Sequence, residues 1–180
     1  MNKCSALDCA NYLVFLMSDN CDDLSNMKLN KLLYYAQGYS LRDRNKPLFN
    51  DAIEAWKHGP VISSVYYEYA DSGNHIYNYD SARLNNLNDD DKKLLFKIAL
   101  NYGKYTASYL RTMTHRPGTP WDQVYDETTR HKEIPSSLIK SYFDKLPDLS
   151  SGEIEYADED FIGYRDDKGH LVLPADWDDE

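Results

Sequence analysis

Apolar residues recur along this chain mainly at helical spacing. Leu7, Ala10, Leu13, Val14 and Met17 share one face of a helix predicted over residues 5–18, and the polar run Asp19-Asn20-Cys21-Asp22-Asp23 ends it. Ser25 or Asn26 caps a second helix, in which Leu29, Leu32, Leu33 and Ala36 follow the i, i+3, i+4, i+7 pattern of a core-facing stripe. Lys28, Lys31, Tyr34 and Tyr35 fall to the flanks or far side of that stripe. Gly38 costs this helix about 1 kcal/mol relative to alanine, a cost that close helix packing would explain.

The helical period fails from Pro47 to Trp56. Leu48-Phe49 and Ile53-Glu54-Ala55-Trp56 read as short extended pieces of a small two-stranded element. Gly59-Pro60 is expected to open a helix running to about Tyr69, because proline suits a first helical turn. Residues 72–87 read as a surface loop. Asn88 or Asp89 caps a helix with Leu94, Leu95, Ile98 and Ala99 on its apolar face, and Thr106 begins a shorter one to about Thr114. Pro117-Gly118-Thr119-Pro120 is a break, followed by one or two turns with Trp121, Val124 and Tyr125. Pro135 opens a last helix with Leu138, Ile139, Tyr142, Phe143 and Leu146 facing inward, and Pro147 closes it. Beyond it, Phe161–Arg165 and His170–Leu173 flank Asp166-Asp167-Lys168-Gly169, which suits a β-hairpin.

Composition supports a mainly α fold. Leu, Ala and Met number 20, 11 and 4, against 5 Val and 8 Ile. A length of 180 residues suffices for a complete core without metal or disulfide staples. The organisation expected is a helical domain over residues 1–146 and an acidic extension over 147–180. No apolar run approaches the roughly 20 residues needed to cross a bilayer, and no signal peptide is legible at the start, which points to the cytoplasm. Cys4, Cys9 and Cys21 form no Cys-x-x-Cys pair and read as free thiols.

Charge is unevenly placed. Residues 147–180 hold twelve acids and two bases, whereas residues 1–146 balance to zero, so the whole net charge of −10 belongs to the extension. Such a balance disfavours direct nucleic-acid binding, which draws its energy from Lys and Arg on phosphates. The extension reads either as a solubilising appendage packed on the core or as a charge mimic that occupies a basic groove on a partner.

Candidate catalysis is sparse. His58, His75, His115, His131 and His170 lack the His-x-x-x-His spacing of a metal site, and Asp89-Asp90-Asp91 is explained as helix-start charge. No phosphate loop or nucleophile elbow occurs. A Cys21 nucleophile paired with His58 or His115 is the enzymatic alternative, with nothing in the sequence to mark it. The reading is therefore of a non-enzymatic protein that needs no metal or cofactor.

Five pieces of sequence carry a family likeness: Met27–Gly38, Lys46–Phe49, Ile53–Val61 with Val65-Tyr66, Leu110–His115 with Pro120-Trp121, and Ile139–Phe143. In content, order and spacing they resemble Panacea domains, also called SocA-like antitoxin domains, over roughly residues 7–146. Asn45 stands where the family tends to have glycine, and Lys57-His58 replaces the commoner Lys-Tyr. The resemblance implies a compact, mainly helical domain that neutralises a cognate protein toxin, usually by direct binding and in one branch by delivery to a protease. A phage or mobile-element protein that uses the same domain to block a host nucleic-acid enzyme is the second reading. Trp56 and Pro60 read as core and junction residues. The candidate partner-binding residues are Tyr34, Tyr35, Lys57, His58 and Tyr66, together with Asp166, Asp167, Asp176 and Asp178 of the extension. Oligomeric state and toxin class are not legible.

Overall fold

One helix, surrounded on nearly every side, organises the molecule. In the computed structural model, described over residues 4–18, 24–73, 75–129 and 131–149 and over the backbone of 164–165 and 171–172, helix α2 (Asn26–Arg44) is the axis. It packs against α1 (Ala6–Met17), α3 (Ser63–Glu68), α4 (Asp89–Tyr102), α5 (Ala107–Thr114), α7 (Ser136–Phe143) and strand β2 (Gly59–Val61). A short helix, α6 (Pro120–Val124), completes the set. The chain is mainly helical with a small β element, and among the described residues no helix is long and apolar enough to cross a membrane.

Because α2 is enclosed, its expected one-sided stripe is corrected: Lys28, Lys31, Tyr34 and Tyr35 are buried along with Leu29, Leu32 and Leu33. Its polar side chains hold neighbouring loops instead of facing water. Gln37 donates to the Phe49 carbonyl at 3.0 Å and accepts from the Leu48 amide at 2.8 Å, Asn30 accepts from the Ile62 amide at 2.9 Å, and Ser40 donates to the Lys46 carbonyl at 2.9 Å. Each bond satisfies a backbone group that burial would otherwise leave costly.

The helix boundaries follow their side-chain chemistry. Ser5 and Asp8 form a reciprocal capping box at α1, with the Cys4 and Cys9 thiols in contact across it at 2.9 Å. Ser25, Asn88, Thr106 and Thr119 cap α2, α4, α5 and α6. Asn45 closes α2 at φ 52°, in the left-handed region that asparagine tolerates nearly as well as the glycine usual there. Gly38 lies so close to α7 that a Cβ would stand 2.4 Å from the Phe143 ring.

Strand β1 (Glu54–Trp56) is central to an antiparallel sheet of order β2-β1-β3, with β3 at Lys132–Glu133. Gly59-Pro60 belongs to β2 rather than opening a helix, and α3 begins only at Ser63. The reason is the two-residue turn Lys57-His58: Gly59, at φ 105°, returns the chain so that Ala55 faces Pro60. Proline is tolerated because this is an edge strand, where its missing N–H breaks no ladder. The stretch from Ile76 to Asn86 wraps α1, pinned by the Asn11 amide to Asp80 and by Asn86 to Asp8 at 2.8 Å. Past α7 the chain stays tied to α2, where Arg42 donates to the Pro147 carbonyl at 3.0 Å and to Asp148 at 2.6 Å. Strands β4 (Tyr164–Arg165) and β5 (Leu171–Val172) pair antiparallel, as the hairpin pattern anticipated.

Candidate partner-binding face at the β1–β2 turn

Three carbonyls of the β1–β2 turn are met by side chains from three different helices. Trp121 of α6 donates from Nε1 to the Trp56 carbonyl at 2.7 Å, His115, which caps the end of α5, places Nε2 3.2 Å from the Lys57 carbonyl, and Lys31 of α2 donates to the Pro60 carbonyl at 3.0 Å. Gly59 permits this convergence, since a Cβ there would lie 2.8 Å from both Lys31 Cε and Thr114 Oγ1. Pieces of sequence nearly a hundred residues apart thus meet at one turn.

Positive charge gathers behind the turn. Lys28 and Lys31, three residues apart on the same face of α2, are each only 1% exposed. Arg111, on α5, and Lys31 both act electrostatically on His115. Burial is the main cause that pushes the His115 imidazole down to about 4, and these two cations add to it against the opposing pull of the Lys57 and Arg111 carbonyls. His115 is therefore neutral at physiological pH, and its Nδ1 lies 2.8 Å from the Arg111 carbonyl.

Aromatic rings form the outer side. The Trp56 indole donates to Glu54 at 2.8 Å, stacks on His131 at 4.2 Å and 9°, and meets Tyr66 at 4.8 Å. Tyr67 stands edge-on to Tyr66 and is 65% exposed. His131 adopts φ 60°, a left-handed conformation that lays its ring over Trp56 and brings Nδ1 to 3.8 Å from Glu54. Elsewhere, an open cleft of about 360 Å³ between α2 and α4 has its arginines already matched, Arg42 with Asp43 and Asp148, and Arg44 with Asp91.

The face collects some of the residues expected from sequence and not others. Lys57 is exposed at the tip of the turn and Tyr66 half-buried beside Trp56. His58 is 8% exposed and points inward, because the tight turn projects one of its two side chains to each side. Tyr34 and Tyr35 are corrected to core residues, 1% and 4% exposed. Tyr35 stacks on Tyr102 at 4.2 Å, and Tyr34 sits edge-on to Phe143 at 5.5 Å. Asp166, Asp167, Asp176 and Asp178 lie outside the described residues, as does Cys21. Sequence reasoning passed over His131, a solitary loop histidine, and gave Lys31 and Arg111 no role, although Arg111 and His115 at i, i+4 already shared one face. Among the described residues no group of three or more His, Cys, Asp or Glu is placed to hold a metal ion.

The model of the SocA-like antitoxin, Panacea domain family matches residues 29–122, which run from the first turns of α2 into α6 and include Lys31, the β1–β2 turn, Arg111, His115 and Trp121. The chain belongs to the Panacea family. Antitoxin SocA of Caulobacter vibrioides (strain NA1000 / CB15N) is 35% identical over 112 residues, covering 56% of this chain and 60% of that protein. No solved structure matches the chain. The Panacea match accounts for why distant pieces of sequence keep their order: they are the parts that assemble around the turn.

Proposed function

We propose that this Panacea protein is the antitoxin of a toxin–antitoxin pair and neutralises a cognate protein toxin by direct binding through the face around the β1–β2 turn. The observation that carries this reading is the convergence of the family's sequence pieces, from α2, β1, β2, α5 and α6, on one turn flanked by exposed aromatic rings. Tyrosine and tryptophan give large contact area at small conformational cost, which suits a protein-binding surface. The protein acts in the cytoplasm beside its toxin, without chemistry of its own and without binding nucleic acid directly. Co-expression with the neighbouring reading frame is expected to rescue growth, and the two chains to co-purify. Rescue without a stable complex would exclude direct occlusion and favour delivery of the toxin to a protease.

A further inference from the structure

The cations behind the turn have a use that surface aromatics alone do not supply. Burying an ammonium or guanidinium costs several kcal/mol unless an anion compensates, so proteins place such groups where an anion is held. Here Lys28 and Lys31 lie on one face of α2, with Lys31 held against Pro60 and within contact of the Gly59–Thr114 junction. Arg111 reaches the same space from α5, half-buried, and is the member of the cluster nearest to solvent. Glu54, the acid of the adjoining strand, is turned away toward Trp56, Ser63 and His131.

We propose that Lys28, Lys31 and Arg111, with His115 beside them, form an anion-binding site that receives a carboxylate side chain of the partner protein. The proposal rests on the antitoxin reading for the identity of that partner. Arg111 makes the first contact from the rim, and the two lysines supply the positive potential behind it. Any anion that meets these cations at rest is one the partner carboxylate displaces. His115 strengthens the site as it fills: an arriving negative charge offsets the repulsion from Lys31 and Arg111, so binding draws a proton onto the imidazole. A carboxylate suits the site better than a nucleic-acid phosphate because the surrounding surface is aromatic and the chain as a whole is acidic.

Two measurements on the full chain test this. Against the co-purified toxin, Arg111→Gln is expected to weaken binding about thirtyfold or more, Arg111→Lys to recover much of the loss, and one Asp or Glu to Arg exchange in the toxin to restore Arg111→Glu. Wild-type affinity and salt dependence in Arg111→Gln and Lys31→Met would overturn the site while leaving the antitoxin reading intact. Without any toxin, a tetraglutamate peptide titrated into the 15N-labelled chain is expected to give saturable shifts at Arg111 and His115 that vanish in Arg111→Gln. Absence of such shifts in the wild type overturns the site. If the wild type neither rescues growth nor co-purifies with the toxin, yet binds the peptide, the antitoxin reading fails and the anion site stands. A folded state for each variant is read from the same spectra, and the toxin-side exchanges test the site without altering this chain.

Discussion

The Trp121 indole N–H donates to the Trp56 carbonyl at 2.7 Å, joining α6 to the central strand across sixty-five residues of sequence. Trp121 also stacks on Tyr125 at 4.5 Å and lies against His115 at 3.7 Å, so one side chain ties α6, the end of α5 and the turn. Trp121→Phe keeps most of the apolar contact but leaves a buried carbonyl unmatched, at a cost of about 1–3 kcal/mol. Urea unfolding of the variant is expected to show a lower midpoint with an unchanged slope. An unchanged midpoint would mean that the bond contributes nothing net.

Gly38 reverses an ordinary rule. In an exposed helix interior, Gly→Ala stabilises by roughly 0.5–1 kcal/mol because alanine loses less backbone freedom on folding. Here the added methyl would stand 2.4 Å from three atoms of the Phe143 ring, which is itself buried between Tyr34, Tyr35 and Tyr39. The ring has nowhere to yield, so Gly38→Ala is expected to destabilise by about 1–3 kcal/mol, as overpacking does. A thermal melt showing Gly38→Ala equal to or above wild type would refute close α2–α7 packing.

Helices and their starts were legible because their causes are local. Ser25, Asn88, Thr106 and Thr119 announce caps, and leucine spacing announces the helices they begin. What sequence could not show was how many neighbours a helix has. The stripe on α2 gives one buried face, whereas six surrounding elements bury the rest, and Lys31 and Tyr34 are polar enough to be misplaced toward solvent on pattern alone. Gly59-Pro60 misled for a related reason. A proline after glycine fits a helix start or an edge strand equally well, and only pairing with β1 decides between them. β3 is two exposed residues long and leaves no periodic trace. For the site, the sequence marked its pieces but not their meeting, since Lys31, Lys57, Arg111 and Trp121 are neighbours only in the fold.

His115 predicts a pH dependence whose sign is fixed by burial. Its folded value, about 4, lies below the ordinary 6.5, so between these pH values the unfolded chain binds more protons than the folded one. The associated stability is present in full above about pH 6.5 and is lost as pH falls toward 4. Allowing for partial exposure of the ring, the loss is about 1–3 kcal/mol. His115→Asn lacks this proton-linked loss, so the stability gap between wild type and variant is expected to narrow from about pH 7 to about pH 4.5. Parallel pH profiles for the two chains would show that the imidazole titrates normally.

Tyr34 and Tyr67 separate the core role of tyrosine from its binding role. Tyr34 is 1% exposed, and its hydroxyl has no hydrogen-bond partner among the described residues, while burial holds that phenol well above its usual range. Replacing it by phenylalanine removes an unsatisfied polar atom and keeps the ring against Phe143. Tyr34→Phe is therefore expected to be neutral or stabilising by up to about 1 kcal/mol, with toxin binding unchanged. Tyr67 is the opposite case. Its ring is 65% exposed and packs only edge-on against Tyr66 and Trp56, so its removal costs the fold little. If the aromatic face beside the β1–β2 turn contacts the toxin, Tyr67→Ala weakens the complex by about 1–3 kcal/mol while the melting temperature stays within a degree or two. Calorimetric titration of the toxin into both variants decides the matter. Equal affinity for Tyr67→Ala and wild type would move the interface off this face, even if the two proteins still co-purify.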